Sequence, residues 1–366
     1  MCNTYVLHNV SRLNHQKYDF FIEDGTIKAI SEPKTLNGEH VIDCTGLYVS
    51  SGWIDLHVHA FPEFDPYGDD VDEIGIKQGV TTVVDAGSCG ADRIADLHEL
   101  SKQCKTNLLA FLNISSIGLK RIDELSNLSW INSDKVVKAV EQFPDFIVGL
   151  KARMSKSVVG EQGIKPLQLA RRLSLITKRS LMVHIGSSPP YIEQIFDLLE
   201  KEDIVTHFLH GKANRLFDNN EHIHSFVTKA VNKGIHLDVG HGSASFSFQV
   251  AEAAKRQGLK FDTISTDIYR NNRLNGPVYS MSKTLSKFLY LGYSIEEVIA
   301  GVTINAANWL KMPKLGRIQE GEPANLTLFS IENSPVKLID SEGEEQIATK
   351  HIKAKGVFKN GTYLTC

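Results

Sequence analysis

Two textures of hydrophobic patterning divide the chain. Between about residues 52 and 310, short apolar runs recur at Ile54–His59, Thr81–Ala86, Leu108–Ile114, Phe146–Lys151, Leu181–Ile185, Ile204–Phe208, Ile235–Val239 and Thr263–Thr266. Segments with helical spacing lie between them, among them Ser133–Gln142, Pro166–Thr177, Pro190–Lys201, Ile223–Asn232 and Ala244–Gly258. A near-continuous apolar strand must be covered on both faces, which is the situation of a parallel sheet flanked by helices. Eight such units predict an α/β chain built as a closed (β/α)8 TIM-type barrel. An open doubly wound sheet is the alternative. No G-x-G-x-x-G or P-loop follows a strand, which weakens its nucleotide-binding form.

The two ends read differently. Residues 1–51 and 311–366 carry short strand-like runs broken by tight turns. Asp24-Gly25 and Asn360-Gly361 each separate two apolar runs, a strong hairpin signal. Strands are expected at Asn325–Ser330, Ile347–Ala354 and Gly356–Leu364. Neither end can bury much core alone. The simplest packing joins them as one composite β-sandwich beside a 52–310 barrel.

Composition narrows the field. The 366 residues suit a barrel plus an accessory unit, and a net charge of −3 without a basic block gives no nucleic-acid footprint. No apolar run reaches the ~20 residues of a membrane span, and Met1–His8 lacks a charged segment followed by an apolar one. Neither a membrane anchor nor a signal peptide is therefore expected. Five widely spaced cysteines, an odd number, argue against a disulfide framework and for a reducing cytoplasm. A homo-oligomer fits the general base rate and nothing more specific.

Barrel enzymes place their chemistry at the C-terminal ends of the strands. His57 and His59 end the first run, and the period of two along a strand sends both imidazoles from one face. The fourth run ends at Lys151, the fifth at His184, the sixth at His207 and the eighth at Asp267. Each has a bland reading alone: Lys151 a salt-bridged lysine, His184 a hydrogen-bonded core histidine, Asp267 a helix cap. His210 competes with His207. The coincidence of all six at strand ends is what favours a metal site.

These residues, in this order, resemble the amidohydrolase superfamily of binuclear metal hydrolases. Gly52–His59, Gly79–Asp85 and Gly316–Leu326 carry the likeness along most of the chain, although Asn325 stands where the family usually has Asp. Val148–Ser155, Met182–Ser187 and Ile264–Tyr269 are similar to a dihydroorotase-like branch that includes deacetylases of N-acyl-D-amino acids. The resemblance implies a Lys151 carboxylated on nitrogen, bridging two divalent ions, zinc being the expected metal. It puts one ion on His57, His59 and Asp267 and the other on His184 and His207. Metal-activated hydroxide would then attack a carbonyl, with Asp267 moving the proton to the leaving nitrogen.

The expected activity is hydrolysis of an N-acyl or O-acyl bond in a small carboxylate-bearing substrate. A cyclic-amide hydrolase of dihydroorotase or hydantoinase type is the first rival. An adenine deaminase is weaker, because such enzymes usually lack a bridging lysine. A non-catalytic scaffold is the rival from another class, disfavoured by the full ligand set. For substrate contacts the candidates are Arg153, Arg270, Arg273, His241, Tyr279 and Ser188. Ser188 is read as the N-cap of a helix with Pro189 in its first turn, aimed at an anion. Cys89, just after the second run, is a candidate extra ligand, with a buried unreactive thiol as the alternative.

Overall fold

The computed structural model describes residues 3–218 and 220–366; Cys2 lies outside them. Seven parallel strands follow one another in chain order: Trp53–Val58, Val80–Ala86, Asn107–Asn113, Ile147–Met154, Leu181–Ile185, Ile204–Thr206 and His236–Asp238. An extended eighth segment closes the ring. It bridges Asp238 through Thr263 and Val58 through Ile268, both in parallel. The chain is thus a TIM-type barrel, as the apolar runs predict.

The eighth strand departs from expectation. It makes no continuous ladder, only those two bridges and scattered backbone bonds such as Asp267 N to His57 O at 2.7 Å and His59 N to Ile268 O at 3.0 Å. The cause is visible in Asp267, whose φ of 51° lies in the left-handed region that an extended ladder cannot include. Buried carboxylates reinforce the seam. Asp55 on strand one accepts the backbone N–H of His57 at 3.2 Å and of Thr266 at 3.1 Å, together with the Thr266 hydroxyl. Asp238 on strand seven accepts hydroxyls from Thr263 at 2.7 Å, Ser265 at 2.6 Å and Thr206 at 2.8 Å. Both carboxylates are buried.

Helix Ser133–Gln142 occupies the predicted span, with Asn132 accepting the Lys135 N–H at its start. Helix Lys165–Thr177 carries Pro166 in its first turn, where a missing N–H costs nothing. The expected Pro190–Lys201 helix is only Ile192–Phe196. Ser188 and Pro189 each precede a proline, which disfavours the helical region for both. Ser188 is therefore not an N-cap. At the end of the barrel away from the histidines, Ala306, Ala307 and Leu310 pack against Ile54, Leu56, Phe111 and Met182.

Strands from both ends of the chain share one eight-stranded sheet, whose path runs 362–365, 351–359, 326–332, 48–51, 4–11, 17–23, 26–31, with 40–43 also paired to 4–11. Leu7, Phe20, Ile22, Val49, Leu326, Leu328 and Phe358 form its core. Both predicted turns are present: Asp24 and Gly25 have φ of 46° and 75°, Asn360 and Gly361 of 49° and 77°. Two successive positive φ values match the twist of a tight hairpin. The run expected as one strand at Ile347–Ala354 is split. Glu345–Ala348 pairs with Val336–Ile339 as a separate hairpin, and His351–Lys359 joins the large sheet. That hairpin packs on the barrel: Leu338 and Ala348 belong to its core, Asp340 accepts the Phe248 N–H, and Ser341 donates to the Gly242 carbonyl.

The thin eighth strand makes the Asp55–Thr266 contact a stability element. Thr266→Val keeps the side-chain shape but removes a donor from a buried carboxylate. It is expected to cost about 1–3 kcal/mol in chemical denaturation, with an unchanged denaturant slope.

Candidate metal centre and substrate cavity

His57, His59, Lys151, His184 and Asp267 line one cavity of about 250 Å³ at the C-terminal ends of the strands. His207 lies directly behind its wall, its ring 4.4 Å from that of His184 and 4.9 Å from that of His57. Ligand-competent atoms of His57, His207 and Asp267 fall within 4.8 Å of one another. All six strand-end residues are therefore brought together.

Three of the four imidazoles are held through one nitrogen. The single hydroxyl proton of Thr206 goes to Asp238, so its oxygen accepts from His57 Nδ1 at 3.0 Å. His57 Nε2 is left as a lone pair, 3.2 Å from Lys151 Nζ and 3.5 Å from Asp267 Oδ1. His207 Nδ1 meets the Gly240 carbonyl at 2.5 Å, which fixes the proton there. Its Nε2 is buried and has no hydrogen-bond partner. Ser88 Oγ stands 2.8 Å from His59 Nδ1, while Asp85 accepts the N–H groups of Ser88 and Ala60. Metal-binding histidines characteristically have the second nitrogen tied in this way. A buried imidazole lone pair without a donor is what a cation would satisfy, and a nitrogen–oxygen donor set suits zinc and its neighbours. The residues fit a divalent metal centre.

Burial drives the titration here. It pushes the His57 and His184 imidazolium forms well below the ordinary range and His207 down to about 3, so these rings are neutral. Burial likewise lowers the Lys151 ammonium to about 7. Among the described residues its Nζ has His57 and, at 3.2 Å, the Met182 sulfur as hydrogen-bond neighbours. For Asp267 burial opposes ionisation, but the contact with His59 Nε2 at 3.2 Å, with His207 and Lys151 close by, holds it below its usual value.

Backbone geometry aims these groups. His207 has φ of 72° and Asp267 of 51°, uncommon for residues with side chains. Gly242 sits so close that an added Cβ would lie 2.4 Å from Asp267 Oδ2, and a Cβ at Gly240 would lie 2.7 Å from His207 Nδ1. Both glycines also have positive φ.

Several expected contacts lie elsewhere. Cys89 is buried and does not line the cavity, and desolvation keeps it a thiol. His241 turns away from the cavity; its Nε2 lies 2.6 Å from Lys287 Nζ and its ring stacks on Phe246. Arg273 forks onto Asp69 at 2.6 and 2.9 Å, and Arg270 stands 3.8 Å from the same carboxylate. Tyr279, exposed with φ of 59°, lies outside the cavity lining, as does Ser188. His210 uses Nδ1 to accept the Lys212 N–H and does not line the cavity. Arg153 does line the cavity, paired with buried Glu124 at 3.4 Å and lying over the Tyr67 ring.

Sequence reasoning missed the supports and part of the wall. Thr206 and Asp238 were detectable as polar residues interrupting apolar strand ends. Tyr67, Lys212 and Ser243 lie in loops, where no periodicity marks them. Tyr269 immediately follows the eighth strand, and its hydroxyl meets Ser243 at 2.7 Å.

The chain matches the family model described as "Amidohydrolase family" over residues 48–362. A protein of Enterococcus faecalis named deacetylase is 42% identical over 351 residues, covering 95% of each chain. A crystal structure titled as an adenine deaminase superposes with TM-score 0.95 at 40% identity and covers 99% of both chains. One titled as a dihydroorotase has TM-score 0.92 at 30% identity, over 99% of this chain and 98% of that one. The chain belongs to the amidohydrolase family. It is a hydrolase acting on carbon–nitrogen bonds, built on the barrel and histidine cluster described above. No helix among the described residues is long and apolar enough to cross a membrane.

The Thr206 relay yields a prediction. Thr206→Val removes the acceptor for His57 Nδ1 without changing the strand. Divalent-metal affinity, measured by competition with a chromophoric chelator, is expected to fall about 10–100-fold with unchanged circular dichroism.

Proposed function

We propose that the protein is a binuclear metal-dependent deacylase of the deacetylase type, cleaving an N-acyl or O-acyl bond in a small carboxylate-bearing molecule. The observation that carries this reading is the convergence of four imidazoles, Lys151 and Asp267 on one cavity. The E. faecalis relative named deacetylase supports it.

His57, His59 and Asp267 would hold one divalent cation and His184 and His207 a second, and the N-carboxylate of Lys151 would supply a further anionic ligand. Zinc is the metal expected. When bound, the cations supply water activation and carbonyl polarisation. The remaining work falls to the chain. Burial of Lys151 outweighs the pull of the nearby Asp267 carboxylate and favours its neutral amine. Its Nζ lone pair adds to the carbon of CO₂, forming a C–N bond, and the amine proton leaves to give the carbamate anion. Asp267, ionised and aimed by its left-handed backbone, takes a proton from attacking water and returns it to the departing nitrogen or oxygen. The Thr206–Asp238 pair keeps the His57 proton on the nitrogen away from the cavity.

Two measurements test this. Metal-replete enzyme would be screened on N-acetyl-D- and N-acetyl-L-amino acids, O-acetyl hydroxy acids, dihydroorotate and adenine. Hydrolysis of the open-chain acyl compounds is expected; turnover of the ring compounds alone would overturn the deacylase reading. Asp267→Asn is expected to lose about 10²–10⁴-fold in kcat with the fold intact.

The lysine also sets a pH dependence. A base whose pKa is depressed to about 7 loses its proton near neutrality, so the reactive amine grows as pH rises through 7 and vanishes below it. Bicarbonate-dependent reactivation of decarboxylated, metal-stripped protein is therefore expected to be faster at pH 8 than at pH 6. Reactivation that is faster at pH 6 would contradict the assignment.

A further inference from the structure

We propose that Lys212 is the residue that reads the carboxylate of the substrate, and that it separates acids from neutral acyl compounds. This rests on the deacylase reading and adds the group that enforces specificity.

The charges of the cavity single out one cation. Its cationic lining groups are Lys151, Arg153 and Lys212. Lys151 lies among the ligand group and has its own role. Arg153 is matched: its Nη1 faces both oxygens of buried Glu124 at 3.4 and 3.5 Å. Lys212 is half-buried, and among the described residues its Nζ has no hydrogen-bond acceptor and no carboxylate within ion-pair distance, the Asp267 carboxylate of the same cavity acting on it only from beyond that distance. A half-buried ammonium without a partner is costly, and an anionic ligand in the same cavity supplies what is missing.

The position is also rigid. Lys212 sits on the loop after strand six, and its own N–H is held by His210 Nδ1 at 3.1 Å. Two residues on, Asn214 clamps this loop to the one after strand five. Its amide donates to the carbonyls of Gly186 at 3.0 Å and Pro190 at 3.1 Å and accepts the Ile192 N–H at 2.9 Å. The backbone carrying the ammonium is thus fixed before ligand arrives, which reduces the ordering cost of binding. His210 and Asn214 thereby gain a purpose as positioning residues.

The test uses full-length, metal-loaded protein and three probes: N-acetyl-D-alanine, N-acetyl-L-alanine and O-acetyl-lactate, each as free acid and as primary carboxamide. Wild type is expected to prefer the acid of whichever probe it cleaves. Lys212→Met should raise KM for that acid roughly 10–100-fold while leaving kcat/KM for the carboxamide within about threefold, and Lys212→Arg should restore part of the preference. Calorimetric binding of the free acids is measured in parallel, with turnover blocked by Asp267→Asn. In that background, loss of acid binding with Lys212→Met supports the assignment even if none of the probes is hydrolysed. If the acids bind or react equally well with and without the lysine, or if wild type ignores the acid–carboxamide difference, the assignment is overturned while the deacylase reading stands. If no probe binds or reacts at all, both fall.

Discussion

The site depends on how the barrel closes. Seven strands pair in regular sequence, but the eighth is pinned by two isolated bridges. Asp55 and Asp238 make up the deficit from either side, each a buried carboxylate that accepts two donors from the eighth strand. Burying a carboxylate is unfavourable unless its lone pairs are filled, so these contacts are costly to disturb. The same two groups reach the metal ligands directly. Asp55 takes the backbone N–H of His57, and Asp238 reaches its ring through Thr206. Closing the fold and setting the tautomer of the first ligand are one hydrogen-bond system.

This coupling explains why the ligands sit on strained or crowded backbone. Asp267 leaves the eighth strand in a left-handed conformation, and Gly242 gives it the room an alanine would fill. Strain of this kind persists when surrounding contacts over-determine it. Here they include the backbone bond to His57, the amide of Asn272 donating to the Asp267 carbonyl, and the hairpin whose Ser341 holds Gly242.

Much of this was legible in the chain and some was not. The eight apolar runs mark the barrel because doubly buried strands tolerate few polar residues. The polar residues at their ends mark the site for the same reason: at a strand end, a polar group in an apolar run needs a partner. His57, Lys151, His207 and Asp267 stood out on that ground. Ser188, His241 and Tyr279 did not hold as cavity contacts, because proximity in the chain says nothing about which way a loop turns. Tandem prolines moved the helix start beyond Ser188, and Lys287 drew His241 out of the cavity. Lys212 gave no signal, since its significance is the absence of a partner in three dimensions.

The buried lone pair of His207 Nε2, which no donor meets, suits a metal site and not packing. Elemental analysis of the full-length protein, purified without chelator and with metal salts supplied during expression, tests it most directly. Close to two equivalents of divalent transition metal per chain are expected. A correctly folded protein with a metal content near zero would contradict it and restore the non-catalytic scaffold reading.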